Sequence, residues 1–169
     1  VFGKGPAVAT LLCDLAKGVL AVVICRLVVT NGFGVTFFHD DKFIGYLAGF
    51  FVMLGHIFPV FYGFHGGKGV LIAATTLIAI DPLTCAFSVA VFAIVLAATK
   101  YVSVGSICAA IEYPVFTPIV QLFIIKGDGV LANTLMATAI GLLIIYMHRP
   151  NIKRLMNGTE NKFGSKKKA

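Results

Sequence analysis

Long apolar runs separated by short polar connections are the main pattern of this chain. Six runs are long enough to predict helices, at about 7–29, 44–61, 69–81, 83–99, 103–125 and 130–147. Because a helix needs roughly 20 apolar residues to cross a bilayer, the third and fourth runs are short for a span. They are separated only by Asp81-Pro82, which predicts a tight hairpin, with a single broken helix as the alternative.

The composition agrees with this pattern. Of the 169 residues, 59% are hydrophobic and 12% are charged, and the mean hydropathy is +0.95. These values exclude a soluble domain and predict an all-α, polytopic integral membrane helix bundle with about six transmembrane helices. The four cysteines lie within apolar runs and lack C-x-x-C spacing, so we predict neither a disulfide nor a metal site.

The formal net charge of +7 is distributed unevenly along the chain. Connections that carry Lys68, Lys100 and the basic tail alternate with connections that carry acidic residues. Since positive charge accumulates on the cytoplasmic side, the alternation places both termini and Lys68 in the cytoplasm. It divides the chain into a bundle over 1–148 and a basic tail over 149–169, with the final GSKKKA disordered. No basic face recurs elsewhere, so nucleic acid is not an expected partner.

Glycines surround a lysine immediately before the third apolar run. Gly66, Gly67 and Gly69 flank Lys68, so successive peptide N–H groups are open to an anion. The N-terminus of the following helix adds partial positive charge, and Lys68 adds a full one. We therefore predict a phosphate site, although the spacing does not match a nucleotide-binding P-loop. On these residues alone, a flexible interfacial turn with a snorkelling lysine is the alternative.

Other polar residues fall on the same predicted face of the membrane. His148 and Asn151 are three residues apart at the start of the tail, and Ser103 follows the Lys100 connection. His148 is able to exchange protons near neutral pH. The tail cluster is also typical of a positive-inside anchor, and serines at such positions commonly serve helix packing.

Two further features lie close to this face. Asp14 and Lys17 share one face of the first predicted helix, either as a simple ion pair or as a functional pair. His56, near the end of the second, is predicted to be a hydrogen-bonded interfacial residue rather than a metal ligand.

Several of these segments together resemble a known family. GHIFPVFYGFHGGKGV and the tail HRPNIKRLMNGTENKF closely resemble motifs of the bacterial PlsY family of acyl-phosphate-dependent glycerol-3-phosphate acyltransferases. GKGPAVATLLCDLAKG and KYVSVGSI are also similar to family segments, so the resemblance extends over nearly the whole chain. It implies a multi-pass enzyme of the bacterial inner membrane, with its active site facing the cytoplasm.

The resemblance also implies the reaction. A fatty acyl group passes from acyl phosphate to the 1-hydroxyl of glycerol 3-phosphate, giving lysophosphatidic acid and inorganic phosphate in phospholipid biosynthesis. The implied partners are these two substrates and membrane lipid, with no cofactor, no metal and no obligate protein partner.

The resemblance assigns residues to this reaction by matching motif positions. It assigns Gly66, Gly67, Lys68 and Gly69 to glycerol 3-phosphate binding. It assigns His148, Asn151 and Ser103 to catalysis. Arg154 and Glu160 also match the tail motif, with a structural role left open for both.

The family pattern includes a segment that precedes the match. Family members have an N-terminal span and then a G-S-G-N-x-G-A-T-N-x-x-R motif, and Val1 stands just after the place where that motif would end. Six predicted spans in place of seven agree with this, so we expect residues 1–169 to form a truncated enzyme that is inactive alone.

The chemistry of acyl phosphate suits these residues. An activated mixed anhydride requires mainly that two anions be held together and oriented, and fixed donors and cations achieve this. The base that accepts the hydroxyl proton is either His148 or a phosphate oxygen of the substrate. The strongest alternative function is a small transporter or channel for an organic phosphate or anion. Such a protein would show inverted repeats or paired interrupted helices, and the sequence shows neither.

Overall fold

The computed structural model describes residues 4–164, and within them the chain forms seven α-helices. They are α1 (Lys4–Arg26), α2 (Lys42–Ile57), α3 (Val70–Ile80), α4 (Pro82–Thr99), α5 (Val102–Ile119), α6 (Val130–Met147) and α7 (Arg149–Met156). The π-helical turns Leu27–Gly32 and Val120–Ile125 extend α1 and α5, and the 3₁₀ turn Val60–Tyr62 follows α2. These residues contain no strand, so the predicted all-α fold is confirmed. The predicted disorder of GSKKKA concerns residues that lie almost entirely outside the described part of the chain.

The six predicted apolar runs correspond to α1–α6, with ends shifted by a few residues. Five helical segments among the described residues have the length and hydropathy to cross a membrane, namely Val8–Gly32, Lys42–Tyr62, Pro82–Thr99, Val102–Ile125 and Val130–Met147. The fourth run, predicted to be short, is therefore long enough to span. Helix α3 has 11 residues, which is about 16 Å at 1.5 Å per residue and roughly half the hydrocarbon thickness.

Helices α3 and α4 form the predicted hairpin. Asp81 alone separates them, and Pro82 is the first residue of α4. The Asp81 carboxylate accepts a hydrogen bond from the Thr84 N–H at 3.3 Å and so caps α4. Cys85 Sγ lies 3.6 Å from the Ala74 carbonyl oxygen, whereas a continuous helix would separate these residues by about 16 Å. The alternative of a single broken helix is wrong.

The helices pack in two groups that share the centre of the bundle. Helix α5 lies between α4 and α6 and makes its most extensive contacts with them, while α1, α2 and α3 pack against one another. Contacts between α2 and α6 join the two groups. Inside the bundle the rings of Tyr46 and Tyr113 stack with their centroids 6.3 Å apart, which links α2 to α5.

The connections between helices lie at two opposite ends of the bundle. Lys68 and His148 line one cavity, and the Phe163 N–H donates to the Lys100 carbonyl oxygen at 2.7 Å. These residues define what we name the site end. Asp40 and Asp81 belong to one hydrogen-bonded network at the opposite end. The alternation of connections predicted from charge is therefore present in the structure.

Buried polar side chains join the helices at the opposite end. The Gln121 amide donates to Asp81 Oδ2 and to the Tyr46 hydroxyl, at 3.2 Å each. Asn133 donates to Gln121 Oε1 at 3.0 Å and also to Asp40. All five side chains are buried. Because a buried polar group left without its partner costs free energy, this network fixes the positions of α2, α5, α6 and the α3–α4 hairpin.

Replacing Gln121 with alanine should lower the free energy of unfolding by about 1–3 kcal/mol, since Asp81 and Tyr46 both lose a donor. Thermal unfolding in detergent micelles measures the effect. Leu122→Ala is the matched control, because this neighbour is 52% exposed on the outside of the same helical segment. Equal Tm values for Gln121→Ala and Leu122→Ala would contradict the role assigned to the network.

Candidate active site

A cavity of about 1100 Å³ opens at the site end of the bundle. Apolar residues of α3, α4 and α5 form its inner wall, which follows α3 from Val70 to Leu77. This stretch of helix is about 10 Å long. Polar side chains from the Lys68 connection, α5 and the segment 148–160 surround its mouth, namely Lys68, Ser103, His148, Asn151, Arg154 and Glu160.

Six of the seven predicted site residues line this one cavity. They are Gly67, Lys68, Gly69, Ser103, His148 and Asn151. Gly66 is not among the lining residues. Helices α3, α5 and α7 begin at this end of the bundle, and α6 ends there. Residues separated by about 80 positions in the sequence therefore meet at one cavity.

Glu160 connects the polar residues at the mouth. Its Oε1 accepts hydrogen bonds from Ser103 Oγ at 2.8 Å and from Asn151 Nδ2 at 2.7 Å. Its Oε2 accepts from Arg154 Nε at 2.6 Å, which is also an ion pair. The sequence singled out Glu160 only through the tail motif and left its role open. A lone carboxylate within a basic segment was the available signal.

The charges at the mouth influence one another. Burial opposes ionisation of Glu160, but hydrogen bonds from Asn151, Arg154 and Ser103 outweigh it and hold the pKa of this carboxyl below its ordinary value. At Lys68, burial lowers the pKa of the ammonium, Glu160 acts in the opposite direction, and Arg154 lowers it further. The mouth therefore combines a hydrogen-bonded anion, Glu160, with the cations Lys68 and Arg154, and cations of this kind bind phosphate groups.

His148 has a defined tautomer. Its Nδ1 lies 2.8 Å from the Ile144 carbonyl oxygen, and because a carbonyl only accepts, we assign the proton to Nδ1. In the neutral ring, Nε2 then carries the free lone pair. Burial is the main cause that lowers the pKa of His148, and Lys68 adds to it, while the hydrogen bond to Ile144 and the Glu160 charge oppose it. The ring is therefore a neutral acceptor at neutral pH.

Asn151 presents an unused acceptor. Its amide nitrogen is assigned to the Glu160 contact, because a carboxylate only accepts. The side chain is 4% exposed, and its Oδ1 is buried without a hydrogen-bond partner among the described residues. A buried acceptor of this kind is expected to have a donor in the functional state.

The first two glycines of the Lys68 connection already use their N–H groups within the chain. The Gly66 N–H donates to the Ile57 carbonyl oxygen at 3.0 Å, and the Gly67 N–H donates to that of His56 at 3.3 Å. The N–H groups of Phe64 and His65 are also bonded to carbonyl oxygens. The prediction that these peptide N–H groups are open to an anion is therefore wrong for Gly66 and Gly67.

Close packing against α2 explains why glycine occupies these positions. A Cβ on Gly66 would lie 2.0 Å from the His56 carbonyl oxygen, and one on Gly67 would lie 2.2 Å from His56 Nε2. Gly69 has φ +80° and contacts Met53, so it also favours glycine. The anion-binding features that remain are the Lys68 ammonium and the N-terminus of α3.

Comparison with known proteins agrees with this geometry. The family described as glycerol-3-phosphate acyltransferase matches residues 1–158. The chain belongs to this family. It is 41% identical to the glycerol-3-phosphate acyltransferase of Clostridioides difficile (strain 630), over 98% of this chain and 74% of the relative. It is 40% identical to that of Shouchella clausii (strain KSM-K16), over 98% of this chain and 76% of the relative.

Solved structures of the glycerol-3-phosphate acyltransferase family share the fold. One is a crystal structure of PlsY (YgiH), an integral membrane glycerol 3-phosphate acyltransferase, in its lysophosphatidic acid form. It has a TM-score of 0.75 and 35% identity, over 97% of this chain and 76% of that chain. The crystal structure of the glycerol 3-phosphate form has a TM-score of 0.74 and 36% identity, over 96% of this chain and 74% of that chain. These matches favour the enzyme over the transporter alternative, and the chain spans about three quarters of the length of its relatives.

Glu160 should make stability depend on pH. Because its pKa is lower in the folded protein, it contributes stability above the ordinary value of 4.5, and that stability is lost as the pH falls below it. Glu160→Gln should therefore have a lower Tm than the wild type at pH 7, and the difference should shrink as the pH approaches 4. Differential scanning fluorimetry in detergent measures both. A difference in Tm that is constant with pH would contradict the assignment.

Proposed function

We propose that the protein transfers a fatty acyl group from acyl phosphate to the 1-hydroxyl of glycerol 3-phosphate. The hydroxyl oxygen attacks the acyl carbonyl carbon, the ester C–O bond forms, and the C–O bond to phosphate breaks with the electron pair leaving on phosphate. The products are lysophosphatidic acid and inorganic phosphate, and the step belongs to phospholipid biosynthesis. The observation that carries the proposal is a single cavity with cations and polar acceptors at its mouth and an apolar inner wall.

Each part of the cavity has a role in this reaction. Lys68 attracts the phosphate of glycerol 3-phosphate, together with the N-terminus of α3 that follows Gly69. Asn151 Oδ1, which has no partner in the described chain, accepts a hydrogen bond from a glycerol hydroxyl. Ser103 donates to Glu160, so it acts as an oriented polar neighbour of the substrates rather than as a nucleophile.

His148 is the proposed base for the attacking hydroxyl. Its Nδ1 proton is held by Ile144, so the unprotonated Nε2 accepts the hydroxyl proton as the ester bond forms. The lowered pKa keeps the ring neutral and able to accept at neutral pH. The alternative acceptor is a phosphate oxygen of the substrate, which has a second pKa near 6 in comparable monoesters.

The apolar wall suits the acyl donor. Alkyl carbons of the acyl chain contact residues between Val70 and Leu77 of α3 and the facing sides of α4 and α5. The acyl phosphate then lies with its anhydride at the mouth, where the cations offset repulsion between two phosphates. The sequence motifs that resemble the acyl-phosphate-dependent family support this donor over acyl-CoA or acyl carrier protein.

The membrane orientation follows from charge. Basic residues at the site end, including the tail over 149–169, support an orientation with that end in the cytoplasm of a bacterial inner membrane. In the structure the first part of this tail forms α7 and carries Asn151 and Arg154 to the cavity. Both phosphate-bearing groups then reach the site from the cytoplasmic side.

The donor is tested with the complete enzyme, purified and reconstituted in liposomes. Labelled glycerol 3-phosphate should enter lipid with palmitoyl phosphate as donor, and inorganic phosphate should be released in equal amount. Acyl-CoA and acyl carrier protein donors should give none. Incorporation from acyl-CoA alone would overturn the proposed donor, and flux of glycerol 3-phosphate into the liposomes without incorporation would overturn the enzyme.

The base is tested by His148→Ala. If Nε2 accepts the proton, kcat should fall by about 10²–10⁴-fold with a smaller change in KM. In the wild type, the acid limb of kcat assigned to His148 should lie below pH 6.5, because its pKa is lowered from that value. Near-wild-type turnover by His148→Ala would leave the substrate phosphate as the proton acceptor.

A further inference from the structure

A charged pair on α1 contacts a histidine of α2 beside the cavity. Lys17 Nζ lies 2.5 Å from Asp14 Oδ1 and 3.1 Å from His56 Nδ1. The side chains of Asp14 and His56 are 16% and 18% exposed. The predicted Asp14–Lys17 pair is present, but it continues to His56 instead of ending as an isolated ion pair.

The contact with Lys17 defines the tautomer of His56. A lysine ammonium only donates hydrogen bonds and has no acceptor. His56 Nδ1 must then accept, so we assign the ring proton to Nε2. Direct donation from Nδ1 to Asp14 Oδ1 does not compete, because the two atoms are 3.7 Å apart. His56 is therefore held as an Nε2–H donor.

That donor lies at the cavity beside the Lys68 connection. His56 is a lining residue, as are Gly67 and Lys68. Its Nε2 packs so closely on Gly67 that a Cβ there would be 2.2 Å away. The His56 carbonyl oxygen also accepts the Gly67 N–H at 3.3 Å. Within residues 4–164 the only hydrogen-bond partner of this ring is Lys17, at Nδ1.

We propose that His56 Nε2–H donates a hydrogen bond to a phosphoryl oxygen of glycerol 3-phosphate, and that Lys17 and Asp14 are positioning residues that hold the required tautomer. The inference rests on the proposed function and adds to it a phosphate ligand and the pair that orients it. It gives the site two neutral histidines with opposite roles. His148 Nε2 accepts a proton from the hydroxyl, and His56 Nε2–H donates to the phosphate of the same substrate.

Kinetics of paired variants test the donor. His56→Leu should raise KM for glycerol 3-phosphate by about ten- to a hundredfold, the range expected for a hydrogen bond to a charged group. KM for acyl phosphate should change little. His56→Gln retains an N–H donor and should recover most of the loss. His65→Leu is the matched control, because His65 lies in the connection that carries Lys68 and its ring bonds locally to the Gly63 carbonyl oxygen at 2.6 Å.

Two kinetic results would contradict the proposed hydrogen bond from His56. Equal KM values for His56→Leu and His65→Leu would overturn the proposal, as would a failure of His56→Gln to recover affinity when its Tm matches the wild type. If His56→Leu does not fold, the comparison of His56→Gln with His56→Asn takes its place. The shorter amide should lose affinity, and equal affinity of the two would count against the donor.

Nitrogen NMR of histidine-labelled protein tests the tautomer without turnover. The His56 signals, identified by their loss in His56→Gln, should show a protonated Nε2 and an unprotonated Nδ1, and Nε2 should shift when glycerol 3-phosphate is added. Lys17→Met should abolish the tautomer preference and Lys17→Arg should restore it. A protonated Nδ1, or no shift with glycerol 3-phosphate, would overturn the inference. Failure of the proposed function would instead appear as binding and a shift without acyl transfer.

Discussion

The Glu160 carboxylate holds the polar half of the site together. It accepts hydrogen bonds from Ser103 on α5 and from Asn151 and Arg154 on α7. These bonds attach α7, which follows the last long helix, to the bundle. Because a carboxylate only accepts, the Asn151 amide must turn its nitrogen toward Glu160. This orientation matters because it leaves Asn151 Oδ1 buried at the cavity without a hydrogen-bond partner among the described residues. The shape of the mouth follows from this one anion.

The same physical requirement explains the opposite end. Burial of apolar surface does little to bring helices together in a bilayer, because lipid tails are as apolar as leucine. Hydrogen bonds between helices contribute to specific packing there, and Gln121 and Asn133 provide them between α5, α6 and their neighbours. Polar networks thus lie at both ends, while the wall of the cavity between them is mainly apolar.

The connection around Lys68 shows how a correct location can have an unexpected cause. The glycines permit the chain to lie directly against His56 and Met53 of α2, and the N–H groups of Gly66 and Gly67 are bonded to α2 carbonyl oxygens. The connection is therefore shaped by its contact with α2, and this contact holds Lys68 at the cavity. The groups available there to attract an anion are a side chain and a helix end, because the N–H groups of Gly66 and Gly67 are already bonded.

The amino-acid sequence by itself determined the membrane class, the helices and the alternation of their connections, because hydropathy and charge act through local runs of residues. Its motifs also indicated the family and the positions of Lys68 and His148. Only the tertiary structure decided that Glu160 joins three donors and that Lys17 reaches His56, a residue 39 positions away. Such contacts depend on which helix faces meet, and the period of one helix does not specify its neighbour. The tautomers of both histidines were decided in the same way, since each is set by the partner that packing brings to Nδ1.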